Sequence, residues 1–262
     1  MDKTSPEYWD EFWKTNRIPK EIQIQKFDIN TYLYREFDAF FRKFIEPNSD
    51  LSLIELGCGN SVWLPYFKKE FLFRISGLDY SRLGCERSRM ILDYYNVEGA
   101  IFEGNLLTPP THLISNFDIV VSFGVIEHFQ DIVEVLKAHA LFLKKNGKIF
   151  VSVPNMHGFP GWYQKIMNKE VFDAHVPIDK DKLMEALSKA GFKNTKAEYL
   201  LPVAVSAQIE GSKPDKFIQV KKALTLNLSR LSKIFWAMEI FSGVRLPRTK
   251  LFSPALIAYG EK

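Results

Sequence analysis

The 262-residue chain is poor in cysteine, with only Cys58 and Cys85. Two thiols cannot build a disulfide framework or a four-cysteine zinc site, so the expectation is a pair of reduced thiols in a cytoplasmic protein. Long apolar runs are also missing. The longest charge-free stretch, Ile149 to Gln164, is broken by Pro154, Asn155, His157 and Pro160, whereas a membrane helix needs about 20 apolar residues. The opening Met-Asp-Lys-Thr-Ser-Pro carries no apolar run behind a basic end, and no secretory signal is expected. Fourteen Gly and 13 Pro are too few for a collagen-like or low-complexity chain. What is present, 46% hydrophobic and 25% charged residues, suits a globular protein with a sizeable core, in one large domain or one domain with an appendage.

The net charge of +4 is mild, but its placement is uneven. Between Gly211 and Lys250 nine Lys or Arg face only Asp215 and Glu239, a local excess of seven that leaves the rest of the chain acidic. In the same stretch Phe217, Val220, Leu224, Leu228, Leu231 and Phe235 step by three or four residues, the pattern of an amphipathic helix that packs on the domain or rests on a membrane surface. A second unusual segment is the start. Eleven aromatics fall within residues 1–46, and Leu33, Phe37, Phe41 and Phe44 lie at helical spacing, which predicts a helical cap.

From Leu51 to Val153 short apolar runs alternate with polar turns and longer helical patterns, the sequence form of βα units around a parallel sheet. Strands are predicted at 51–56, 71–78, 100–103, 117–123, 148–153 and 192–200, with a possible seventh at 251–259. Ser81, Asp131 and Asp179 stand where helix N-caps belong, and Gly147 and Gly191 where helices should stop. The expected fold is therefore α/β and Rossmann-like, with helices on both faces of the sheet. The division reads as a cap over 1–46, a core domain over 47–205 and 251–262, and a basic helical insertion over 206–250.

Ile54-Glu55-Leu56-Gly57-Cys58-Gly59-Asn60-Ser61 lies where a strand ends and a helix begins, where glycines let a ligand approach backbone N–H groups. Asp79 follows the first glycine at roughly the spacing at which a carboxylate meets ribose hydroxyls. A dinucleotide turn requires a third glycine at position 62, which is Val62, and no Lys or Arg lies between Glu55 and Phe67 to answer a phosphate. A nucleoside ligand without phosphate, carrying positive charge that Glu55 would welcome, fits better.

These features together resemble the class I S-adenosylmethionine-dependent methyltransferases over roughly Leu51 to Phe192. Glu55-x-Gly57-x-Gly59 is similar to their first motif, Gly77-Leu78-Asp79-Tyr80-Ser81 to the second and Gly104-Asn105-Leu106 to the third. Phe117-Asp118-Ile119-Val120 with Val125-Ile126-Glu127-His128-Phe129 resembles their fourth strand and the loop after it. The resemblance implies S-adenosyl-L-methionine as cofactor, with Glu55, Gly57, Cys58, Gly59, Asp79, Tyr80, Asn105, Leu106 and Phe123 around it. Arg35 is the basic residue that would meet its carboxylate.

Methyl transfer to a hydroxyl requires a base, and His128, beyond the fourth strand, is the residue expected to serve. Asn155, His157, Tyr163 and His175 flank the loop after the fifth strand and are candidates for an acceptor pocket. The scattered histidines show no tight ligand spacing, so no metal is expected. The expected function is methylation of a small molecule at oxygen. Methylation of RNA or protein is the alternative, and a non-catalytic cofactor-binding module a third. Nucleic acid is not an expected partner, and the oligomeric state has no signature here.

Overall fold

The computed structural model describes residues 4–14, 18–25, 28–209 and 216–262. Phe27, Lys213 and Asp215, which contribute to the aromatic and basic patterns, lie outside them. Two helices, α1 (Pro6–Lys14) and α2 (Tyr32–Phe41), precede the alternating body. That body runs β1 (Ser52–Leu56), α3 (Trp63–Phe71), β2 (Arg74–Asp79), α4 (Arg82–Tyr94), β3 (Ala100–Glu103), β4 (Phe117–Phe123), α5 (Ile132–Phe142) and β5 (Leu143–Pro154). It continues through α6 (Gly158–Met167), α7 (Lys169–Asp173), α8 (Lys180–Lys189), β6 (Lys193–Leu200), α9 (Ile218–Ser242) and β7 (Ala255–Glu261).

Among the described residues the strands form one sheet in the order β3-β2-β1-β4-β5-β7-β6. The pairs from β3 across to β5 are parallel, and β7 inserts antiparallel between β5 and β6. One face is covered by Val135 and Leu136 of α5 with Leu183 and Leu187 of α8, the other by Phe40 and Phe41 of α2 with Leu64, Phe67 and Phe71 of α3. Each of these side chains is essentially removed from water, a gain of roughly 1.5 to 3 kcal/mol apiece before entropy is counted. The Rossmann-like α/β fold with helices on both faces is thus present. Chain order reverses between β1 and β4, and the crevice beyond their carboxyl ends is where such sheets bind ligands.

Local signals explain most boundaries. Ser81 accepts from the Gly84 amide, Asp131 from Val133 and Glu134, and Asp179 from Lys182, so all three expected caps operate. Gly191, at φ +97°, follows the end of α8 as expected. Three boundaries differ from expectation. Phe71 belongs to α3, because Leu72 turns left-handed at φ 64° and delays β2 to Arg74. Gly147 lies within β5 and does not end α5: the helix stops at Phe142, Leu143 already pairs with Phe117, and an irregularity restores register at Lys148 opposite Ile119. The last strand starts at Ala255, since Thr249 to Ser253 closes a turn through the Ser253 amide and Thr249 carbonyl.

The basic insertion does form a helix, α9, but it is turned the other way from a packing face. Phe217, Val220, Leu224, Leu231 and Phe235 are exposed, while Ser232, Trp236 and Glu239 are buried. Polar anchors on the opposite side fix this orientation. The Trp236 indole donates to the Val203 carbonyl at 2.7 Å, and the Val205 amide donates to Ser232 Oγ at 2.9 Å. No helix among the described residues is long and apolar enough to cross a membrane.

Candidate active site

The glycine loop after β1 is shaped by close approach. Gly57 has φ +77°, and a Cβ there would meet Val125 Cγ2 at 2.4 Å. Asp79, at the end of β2, is 8% exposed and accepts from the Gly59 amide at 2.7 Å and the Ser81 amide at 2.8 Å. Burial pushes its carboxyl up to about 6, and the Ser81 and Gly59 amides oppose that rise. Around this pair opens a cleft of about 140 Å³, whose walls include Gly57, Gly59, Asp79, Tyr80, Asn105, Leu106, Phe123 and His128. Among the described residues no Lys or Arg lines it. A carboxylate, an apolar wall and loop amides already taken up inside the protein suit a nucleoside bearing positive charge and do not suit a pyrophosphate.

Helix α1 lies directly over this cleft. Trp9 and Trp13, four residues apart and so on one helix face, both line it. The Trp13 indole nitrogen is 2.8 Å from where a Cβ on Gly59 would stand. Asp10 ties the helix down by accepting from Ser81 Oγ at 2.5 Å and from the Leu83 amide at 3.2 Å. Thr4 Oγ1 lies 3.2 Å from the Tyr80 hydroxyl. Aromatic density predicted a cap, but nothing local in the sequence connected Trp9, Asp10 and Trp13 with the glycine loop.

A second cavity, of about 480 Å³, adjoins the first and shares Trp9, Gly124 and His128 with it. Glu127, Asn155, Gln164, His175 and Gln208 are among its other walls. His128 follows β4 in the short helix Ile126–His128, and its Nδ1 lies 3.1 Å from the Ala174 carbonyl. His175 follows α7, with Nδ1 2.6 Å from the Val171 carbonyl. The two rings are 4.6 Å apart, and Trp9 meets His128 edge-on at 5.2 Å. Glu127 is 1% exposed, and burial lifts its carboxyl to about 8.

The other candidate residues stand elsewhere. Glu55 is 2% exposed behind the glycine loop, accepts from Ser61 Oγ at 2.6 Å and is held up to about 8 by burial; it does not line the cleft. Cys58 is fully buried, with its sulfur against Gly77. Arg35 on α2 donates to the Ile24 carbonyl at 3.1 Å and is not a lining residue of the cleft. Asn155 lines the second cavity, but its amide donates to the carbonyls of Lys250 and Ser253 and its oxygen accepts from the His157 amide. His157 and Tyr163 line neither cavity, and the Tyr163 hydroxyl is 2.8 Å from Thr225 Oγ1. Asn105 Oδ1 accepts from the Leu107 amide at 2.8 Å, an Asx turn that shapes the loop.

A family model described as a methyltransferase domain matches residues 29–197, more than half of the chain. The chain is 29% identical over 113 residues to a ribosomal protein L11 methyltransferase of Thermosipho africanus, covering 43% of this chain and 40% of that protein. It is 26% identical over 162 residues to a ubiquinone biosynthesis O-methyltransferase of Rhodopseudomonas palustris, covering 59% of this chain and 60% of the relative. It therefore spans less than two thirds of either curated relative. Among solved structures, geranyl diphosphate C-methyltransferase from Streptomyces coelicolor, in complex with Mg²⁺, geranyl diphosphate and S-adenosyl-L-homocysteine, superposes with a TM-score of 0.62. The match has 14% identity and covers 98% of both chains.

Proposed function

Because the chain belongs to the methyltransferase-domain family and is an S-adenosylmethionine-dependent methyltransferase, we propose that it methylates a small molecule at a hydroxyl oxygen. The observation that carries this reading is the wall shared by the two cavities. Gly124 and His128 border both the glycine cleft and the 480 Å³ chamber, so an acceptor in the chamber lies next to a ligand in the cleft. A chamber of that volume falls in the range of small-molecule sites, about 300 to 1,000 Å³.

S-Adenosylmethionine supplies a methyl carbon activated by its sulfonium, to which an acceptor oxygen forms the new C–O bond as the C–S electron pair returns to sulfur. The residues of this chain position and deprotonate. Gly57 and Gly59, whose amides already donate to the Leu78 carbonyl and to Asp79, leave room for the cofactor to approach the backbone, Asp79 presents the carboxylate of the cradle, and Tyr80, Asn105, Leu106 and Phe123 complete its walls. Contact of His128 Nδ1 with a carbonyl makes that nitrogen the protonated one, so Nε2 carries the lone pair that takes a hydroxyl proton. The cap over 1–46 contributes Trp9 to the chamber, and the start of the 206–250 insertion contributes Ser206 to Gln208, so both border the acceptor's space.

The basic insertion supports a small acceptor over RNA. Lys221 donates to the Met167 carbonyl, Lys233 to Asn30, Arg245 to Glu36, Arg248 to Glu239 and Lys250 to Asp179, so these donors already have partners within the chain, although Arg245 and Lys250 are 63% and 52% exposed. The test supplies labelled methyl donor with pools of small alcohols and phenols, with RNA and with ribosomal protein. Label is expected in the small-molecule pool only, and label confined to a macromolecule defeats the reading. With the acceptor in hand, His128→Ala should keep S-adenosyl-L-homocysteine binding and lose turnover by about 10² to 10⁴. A parent rate in the folded variant removes His128 from the chemistry.

A further inference from the structure

Glu127, His128 and His175 come from two separate segments, the turn after β4 and the turn after α7, and converge at the junction of the two cavities. One ligating atom from each lies within 4.8 Å of the others. Both histidines place Nδ1 against a backbone carbonyl, Ala174 for one and Val171 for the other. A carbonyl only accepts, so each Nδ1 carries the proton and each Nε2 the lone pair, the tautomer and orientation that outer-shell partners impose on metal-binding histidines. A separate observation points to a ligand. Glu127 is 1% exposed, and its Oε2 has no hydrogen-bond partner among the described residues. A buried carboxyl oxygen without a partner is costly, and a cation bound there would give it one and favour its ionised form. The staple between the Val176 amide and the Glu127 carbonyl, at 2.7 Å, holds the two segments together.

We propose that Glu127, His128 and His175 bind one divalent cation, of the zinc, cobalt or manganese kind, between the cofactor cleft and the acceptor chamber. Two imidazoles and a carboxylate suit ions that take mixed nitrogen and oxygen donors, and three protein ligands leave positions open for solvent or an acceptor, as in catalytic sites. The catalytic consequence rests on the O-methylation reading above. An acceptor hydroxyl bound to the ion loses its proton to water while the O–H electron pair stays on oxygen, because the cation stabilises the alkoxide or phenolate. In that form His128 is a ligand and no longer the proton acceptor.

The test begins without any acceptor. The purified chain, stripped with a chelator, is titrated with Co²⁺ alone, followed by calorimetry and by visible absorption. One equivalent is expected to bind, with ligand-field bands of a mixed nitrogen and oxygen site. Glu127→Gln, a neutral isostere suited to a buried position, and His175→Gln should each weaken binding by at least about 10²-fold, since losing even an outer-shell partner costs 10- to 100-fold. Both variants should keep S-adenosyl-L-homocysteine binding, which certifies the fold. Absence of stoichiometric Co²⁺ binding, or equal binding by Glu127→Gln, overturns the site. Methyl transfer is then assayed on stripped and reloaded protein. Loss and restoration with the ion support activation of the acceptor, and a rate indifferent to the chelator overturns that role and returns the proton to His128. A site that binds Co²⁺ in a protein that methylates no hydroxyl leaves the metal assignment standing and defeats the O-methylation reading.

Discussion

His139 shows how a single side chain makes stability depend on pH. It is fully buried in α5, with Nδ1 2.8 Å from the Val135 carbonyl and Nε2 3.0 Å from Ser122 Oγ. Desolvation is the main cause that holds its pKa down to about 4. In the unfolded chain the same imidazole titrates near 6.5. Between these values the unfolded state takes up a proton that the folded state refuses. His139 therefore contributes stability that is fully present above about pH 6.5 and is lost as pH falls toward 4, about 3 kcal/mol across the window. Glu55, raised to about 8 by burial, acts in the opposite sense, its contribution fading as pH rises. Denaturant melts from pH 7.5 to 4.5 on the parent and His139→Gln separate the two: the variant should lose much of the acid-side decline. An unchanged slope would show that His139 is protonated in the native state. A structural role for His139 is open to sequence reasoning, because it falls inside a helix pattern. The convergence of His128 with His175 is not, because 47 residues separate them in sequence and neither turn signals the other.

At the scale of elements, α1 stands out because it both belongs to the site and obstructs it. Trp13 lies against Gly59, where a ligand must approach the backbone, so a ligand and the indole compete for one space. Asp10 holds the helix in place through Ser81 Oγ and the Leu83 amide at the start of α4. Hydrogen bonds to a charged acceptor are worth about 1.5 to 3 kcal/mol each. Asp10→Ala weakens the seated position of α1 and should raise affinity for S-adenosyl-L-homocysteine by up to roughly tenfold, a shift of about 1.4 kcal/mol. Calorimetry on both proteins reads this directly, and weaker or equal binding would mean that α1 does not compete. Strands and caps were legible because each depends on a few neighbouring residues: Ala100–Glu103 and Phe117–Phe123 match the expected spans. The face that α9 presents was not. Its apolar spacing marks a stripe, but the buried side is chosen by Ser232, Trp236 and Glu239, whose partners come from elsewhere in the chain.

The molecule as a whole is closed by one buried charge network joining its two additions to the sheet. Arg248, just before β7, donates to Glu239 of α9, with Nη2 to Oε2 at 3.0 Å, and to Glu36 of α2 at 3.1 and 3.2 Å. The Tyr32 hydroxyl donates to Glu239 Oε2 at 2.9 Å. The side chains of Arg248, Glu36 and Glu239 are 10%, 9% and 3% exposed, so solvent screens them little. Elements more than 200 residues apart are thereby pinned together, and no sequence pattern announces a pairing across such a separation. Removing only the guanidinium leaves two buried carboxylates beside one another, and breaking a buried pair from one side costs about 3 to 5 kcal/mol. Arg248→Met should therefore lower the melting temperature and expose α9 to protease before the sheet unfolds. If unpaired charge is the cause, adding Glu239→Gln should recover much of the loss, because Glu36 keeps Arg245 at 3.1 Å. If packing of the arginine stem is the cause, the double variant should melt no higher than Arg248→Met. A single variant as stable as the parent would mean that apolar contacts alone hold α9 in place, with the charges incidental to the closure of the molecule.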